Sequence, residues 1–101
     1  PALKPLILAA HAAAREAEAV PPAQAAARAI AQAASTIHSA THALGLAFYG
    51  AVAQAYETYG TQADPSLYEQ VSAEECARLE AALRAVAVPD EPHPAKVNWR
   101  C

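Results

Sequence analysis

Two histidines stand one helical turn apart in the stretch IHSATHALGLAFYG, residues 37–50. At four-residue spacing, His38 and His42 can present two imidazoles to one metal ion, the geometry that helical zinc sites use. Zinc takes further ligands, and His11, Glu16, Glu18 and His93 are the other donors on offer. None of them lies at a spacing that demands a metal. The stretch reads His-Ser-Ala-Thr-His, with no glutamate placed to act as a metalloprotease base. Ser35, Thr36, Ser39 and Thr41 lie near both rings, so a hydroxyl nucleophile with an imidazole base is a second chemistry to weigh. It lacks an elbow motif, an orienting carboxylate and an oxyanion-hole glycine pattern. A third role is structural. Imidazole and phenol rings join an apolar body to a polar tip, which suits a half-buried helix face. Packing is therefore expected, with no catalytic residue and no cofactor; zinc at His38 and His42 is the alternative.

The elements that hold these residues are helical. At 100° per residue, Ala31, Ser35, His38, His42, Gly45, Tyr49 and Tyr56 share one strip if the helix is continuous. Ile37, Leu44, Phe48 and Ala55 form a neighbouring apolar strip expected to be the core seam. Gly45 and Gly50, set among Ala43, Ala47 and Ala51, would let a second helix approach closely. An unbroken helix from Ala23 to Tyr59 would be a rod of about 55 Å, too long for so small a domain. The serines and threonines of STIHSAT, residues 35–41, compete for local backbone groups and mark the bend, with Ser39 or Thr41 as the new cap. Helices are thus predicted at about 22–37 and 41–58, with Pro22 in the first turn of the former.

Ahead of them, residues 2–19 read as a first helix burying Leu3, Ile7, Ala10, Ala14 and Ala17, with His11 on a solvated face. Gly60 is placed to end the third helix. Residues 61–71 read as a connector holding a short turn capped by Asp64 before Pro65. SAEE, at 72–75, reads as a capping box in which Ser72 caps and Glu75 reaches back. The helix it opens should run to about Ala87, burying Cys76, Leu79, Leu83 and Val86 and exposing the four-apart pairs Glu74/Arg78 and Glu80/Arg84. Residues 88–101 carry three prolines and should form an extended tail, with Trp99 an anchor onto the bundle. The expected fold class is all-α: one domain over 1–101, a small up-down helical bundle of about four helices with an extended C-terminal tail.

Composition narrows the function. Alanine fills 30 of 101 positions, so the helices are strongly favoured but each buried residue removes little area from water. Such a chain packs helices closely or borrows surface from a partner, and both are expected, including a homo-oligomer. The net charge is −3 and the seven basic residues are scattered, which argues against nucleic acid. No formal charge lies between Arg28 and Glu57, yet alanine and eight polar residues fill that stretch, so no membrane span is expected. Two distant cysteines, Cys76 and Cys101, suit free thiols in a reducing cytoplasm, and no secretory leader pattern opens the chain. Tyr49, Tyr56, Tyr59, Tyr68 and Trp99 are the candidate partner-binding residues, because aromatics concentrate binding energy.

AAHAAAREA (9–17) and AAARAIAQAASTIHSATHALGLAFYGA (25–51) carry a further signal. Ala10–His11 followed by alanines and Arg15, the segment 28–32, and His38 with Thr41–His42–Ala43–Leu44–Gly45 resemble a family of bacterial immunity proteins of polymorphic toxin systems. The resemblance spans about residues 9–55, and the ending HPAKVNWRC lies outside it. It implies a protein partner, a toxin neutralised by occlusion, and no catalytic residues.

Overall fold

Proline opens three of the four helices among the described residues. Pro5 lies in the first turn of α1 (Lys4–Glu16), Pro21 and Pro22 begin α2 (Pro21–Ser35), and Pro65 begins α4 (Pro65–Val86). In a first turn the missing N–H has no helical partner to lose, and the fixed φ already suits the helix. The third helix, α3 (His42–Tyr59), grows instead out of tight turns, with His42, Ala43 and Leu44 each donating to the carbonyl three residues back. It stops at Gly60, whose φ of 71° is free of steric cost only without a Cβ. The computed structural model describes residues 2–99, and among these no strand occurs. The all-α expectation holds.

The bend at 35–41 is also present, as a break between α2 and α3. Ser35 Oγ donates to the Ala31 carbonyl at 2.8 Å and Thr36 Oγ1 to that of Ala33 at 2.7 Å, local bonds that compete with continuing the helix. Thr41 takes the N-cap position of α3, one of the two expected, but its hydroxyl makes no cap bond to the helix; the Thr41 and Ser39 hydroxyls lie 2.9 Å apart and bond each other. The larger departure is α4. Asp64 Oδ1 accepts from the Ser66 backbone N–H at 2.9 Å and from its hydroxyl at 2.7 Å, and the helix it caps continues without a break. With no breaker between Ser66 and Ser72, the expected connector is absorbed into a 22-residue helix. Ser72 therefore sits inside α4, and Glu75 pairs with Arg78 at 2.8 Å instead of turning back. Glu74 accepts from Gln70, while Glu80 and Arg84 pair as expected at 2.9 Å.

Each helix packs only on its neighbours in sequence: α1 on α2, α2 on α3, α3 on α4. Opposed contacts fix the direction of the central pair, since Gln32 meets His42 while Arg28 meets Tyr49, so α2 and α3 run antiparallel. This small bundle is open. Its radius of gyration is 15.4 Å where a compact chain of this length has about 13 Å. Among the described residues, the buried ones are Ala14, Ala25, Ala29, Ala31, Ser35, Ala51 and Ala55, without one large side chain among them. Ile37, Leu44 and Phe48, expected in the seam, are exposed. Leu44, Phe48, Ala51 and Ala55 do share one stripe of α3, but only its alanine half is covered. In α4 the half-buried stripe ends at Leu79; Leu83 and Val86 project into solvent, and Cys76 is an exposed free thiol rather than a core residue. The helix runs past the surface it packs on. Residues 87–99 are extended or turned and exposed throughout, so Trp99 does not anchor to the bundle. Cys101 lies outside the described residues.

Because its two bonds from Ser66 favour the charged form, the Asp64 carboxyl titrates below its ordinary value of 3.8. A depressed folded-state pKa adds stability that is present above the unfolded value and lost as pH falls through the folded one. Asp64→Ala should lower the urea midpoint at neutral pH, and the gap to the parent should shrink as pH drops below 3.8. Circular dichroism titrations across that range check both parts.

Candidate functional site

The two turns that join α1 to α2 and α2 to α3 differ in what they gather, and the second collects the histidines. His42, the first residue of α3, donates from Nδ1 to Oε1 of Gln32 on α2 at 2.7 Å. That bond fixes the tautomer, leaving the His42 Nε2 lone pair as the acceptor. His38, exposed in the turn, stands edge-on to His42 with ring centres 5.1 Å apart. One turn further along α3, Gly45 faces the same glutamine. A Cβ there would come within 2.6 Å of Gln32 Cγ and Oε1. The glycine is therefore the space into which Gln32 folds to reach His42.

His11 has a different neighbour from the one its sequence suggested. It is half-buried between α1 and α2, with Nε2 at 3.3 Å from Ser35 Oγ. The Ser35 proton is already given to Ala31, so the hydroxyl can only accept, and His11 Nε2 is the donor. Direction and burial both oppose a nucleophile here. An imidazole that donates is not a base, and Ser35 is 1% exposed. The contact instead ties α1 to α2 and satisfies a buried oxygen.

Metal donors do not converge. His38 and His42 lie side by side, but His11 is turned to Ser35 and His93 sits in the extended tail. Among the described residues no group of three or more His, Cys, Asp or Glu side chains is placed to hold an ion. A zinc pair needs at least one more protein ligand than this corner supplies.

The five aromatic candidates divide by exposure. Tyr56 and Tyr68 meet edge-to-face with ring centres 6.0 Å apart, clasping α3 to α4. The Tyr68 hydroxyl donates to the Gly60 carbonyl and accepts from the Ala63 N–H, which pins the loop between them. Tyr49 is half-buried beneath the Arg28 guanidinium, 5.8 Å from its ring centre. Only Tyr59 and Trp99 of the five are exposed. Sequence reasoning missed the exposed apolar surface elsewhere on the molecule: Leu6, Leu8, Ile30, Ile37, Leu44 and Phe48 all stand more than half exposed. The signal was available in the alanine count, because a seam of alanines leaves no room for large side chains.

Comparison with known families decides the kinship. The model of the Imm-5 like putative immunity protein matches residues 1–82. The chain belongs to that family. The match to the Imm-5 like family takes in α1, α2, α3 and most of α4, and stops just before Leu83. It thus includes the histidine corner and leaves the exposed arm outside. The likeness seen in residues 9–55 was a part of this longer one. No curated protein and no solved structure matches the chain.

The Gly45 pocket makes a quantitative expectation for stability. Gly50, in the same helix, has nothing within 4 Å of an added Cβ, so Gly50→Ala should gain about 0.5–1 kcal/mol. Gly45→Ala should fall short of that gain by about 1 kcal/mol, the worth of the Gln32–His42 bond it displaces. In a Gln32→Ala background the two substitutions should become alike. A double-mutant cycle by chemical denaturation measures the difference.

Proposed function

We propose that this chain acts in the cytoplasm as an immunity protein that neutralises a toxin by occlusion, through surface contact and without catalysis. The supporting observation is surface the fold does not use. A compact 10.5 kDa monomer exposes about 5,400 Å², whereas this chain exposes 7459 Å². A family defined by immunity needs a partner, and exposed apolar side chains are what a partner covers.

The open half of the α3 stripe is the best-formed contact. Leu44 and Phe48 stand four residues apart on one face, 52% and 62% exposed, on a helix held rigid at its other end by the tyrosine clasp. Two large anchors on a preformed helix cost little ordering on binding. Tyr59 and Trp99 extend the aromatic surface available to the toxin. Tyr49, Tyr56 and Tyr68 contribute by holding the helices in place. An exposed, unpaired Cys76 is compatible with a reducing compartment.

The double variant Leu44→Asp/Phe48→Asp tests this directly. Co-expressed with a toxin found by screening the candidates encoded near its gene for one that the parent chain neutralises, the parent should restore growth and the variant should not. Affinity for the purified toxin should fall at least tenfold, about 1.4 kcal/mol, with helicity unchanged because both positions are exposed. Full protection by the variant would overturn the proposed contact, and protection without a detectable complex would overturn occlusion itself.

A further inference from the structure

The molecule holds an apolar groove and an exposed apolar arm that lie on different helices and do not meet within one copy. The groove, about 390 Å³, lies between the start of α1 and the turn after α2, lined by Leu3, Lys4, Ile7, Leu8, Ile37 and His38. The arm is the overhanging end of α4 and the extended chain after it. Leu83, Val86 and Val88 are 67–77% exposed, and Val97 and Trp99 follow at 47% and 61%. α1 packs on α2 alone and α4 on α3 alone, at opposite edges of the array.

We propose that two copies of this chain dimerise by exchanging arms, each seating Leu83, Val86 and the chain that follows in the groove of the other. Length, charge and area agree. The four residues from Leu83 to Val86 make a helical turn of about 6 Å, close to the roughly 7 Å of α1 from Lys4 to Leu8 that walls the groove. Lys4 is the groove's one permanent cation, and Asp90 and Glu91 follow directly on the arm, so docking brings opposite charges together. The surface beyond that of a compact monomer is about 2,000 Å² per copy, and a stable interface needs about 800 Å² from each partner. A two-fold exchange makes the same contact twice and leaves no open end to propagate. Trp99 belongs to the arm as well as to the aromatic surface offered to the toxin, but the toxin anchors Leu44 and Phe48 lie on neither docking surface, so variants at Leu83, Val86, Leu8 and Ile37 separate dimerisation from toxin contact.

Two variants with different lesions test the exchange. Leu83→Ala/Val86→Ala strips the arm while favouring the helix, and Leu8→Glu/Ile37→Glu spoils the groove at two exposed positions. By sedimentation velocity from 1 to 200 μM, the parent should be a dimer at the upper concentrations (roughly the range typical of such interfaces). Each variant alone should raise the dimer dissociation constant at least tenfold. An equimolar mixture should recover heterodimer, because one intact arm then meets one intact groove. Circular dichroism of each variant guards against unfolding; should the groove variant lose helicity, Lys4→Glu takes its place in the same mixing experiment. A parent that stays monomeric throughout, variants that dimerise like the parent, or a mixture that recovers nothing would each overturn the proposal. Loss of dimer with toxin protection intact would leave the immunity function standing.

Discussion

The approach of α2 to α3 is set by the side chain that Gly45 lacks. Gln32 occupies that space and from it accepts the His42 proton, so one hydrogen bond and one missing Cβ fix the distance and register of the central pair. At that distance the remaining seam positions take methyl groups. Ala25, Ala29, Ala31, Ala51 and Ala55 are buried because only alanine fits between backbones so close. Ser35 shares the seam on the same terms, small and with both of its polar needs met by Ala31 and His11.

An alanine seam has an unavoidable consequence for the rest of the surface. Each buried methyl removes little area from water, so the fold gains its stability thinly, from many small contacts and strong helix propensity. Leucines, isoleucines and Phe48 cannot enter the seam without forcing the helices apart, and they are left outside it. The same constraint that gives the helices their close spacing therefore supplies the apolar material for binding. Stability and recognition are coupled here: whatever covers Leu44 or Ile37 adds the burial that the isolated chain forgoes.

Much of this was legible in the sequence because it is local. Proline in first turns, Gly60 after the third helix, and hydroxyl-rich residues at 35–41 each act within a few residues, and each marks a true boundary. The errors arose where two local signals competed or where tertiary reach mattered. Asp64–Pro65 and Ser72–Glu75 are both good helix starts, and no residue between them breaks the chain, so the earlier one wins and the later is absorbed. Periodicity correctly grouped Leu44 and Phe48 with Ala55, and placed Leu83 and Val86 in line with Leu79, but a stripe says nothing of how far its partner extends. Half of each stripe is bare. The histidine corner was visible as a spacing, while its acceptor, Gln32, lay ten residues away across a break and could be found only in three dimensions.

Each helix of this array meets only its sequence neighbours, which makes the two edges unlike the middle. α2 and α3 have partners on both sides, whereas α1 and α4 each offer one long side to solvent. Closed bundles bury such sides by turning the first helix against the last. Here α1 and α4 do not meet, and large apolar residues at both edges remain exposed: Leu3, Leu6 and Leu8 on one edge, Leu83 and Val86 on the other. Edges of that composition have lower free energy when covered than in water, at about 25 cal/mol per Å² of apolar area. An open array with small residues inside and large ones at its rims is thus built for association, and the identity of each cover depends on charge and shape around the rim.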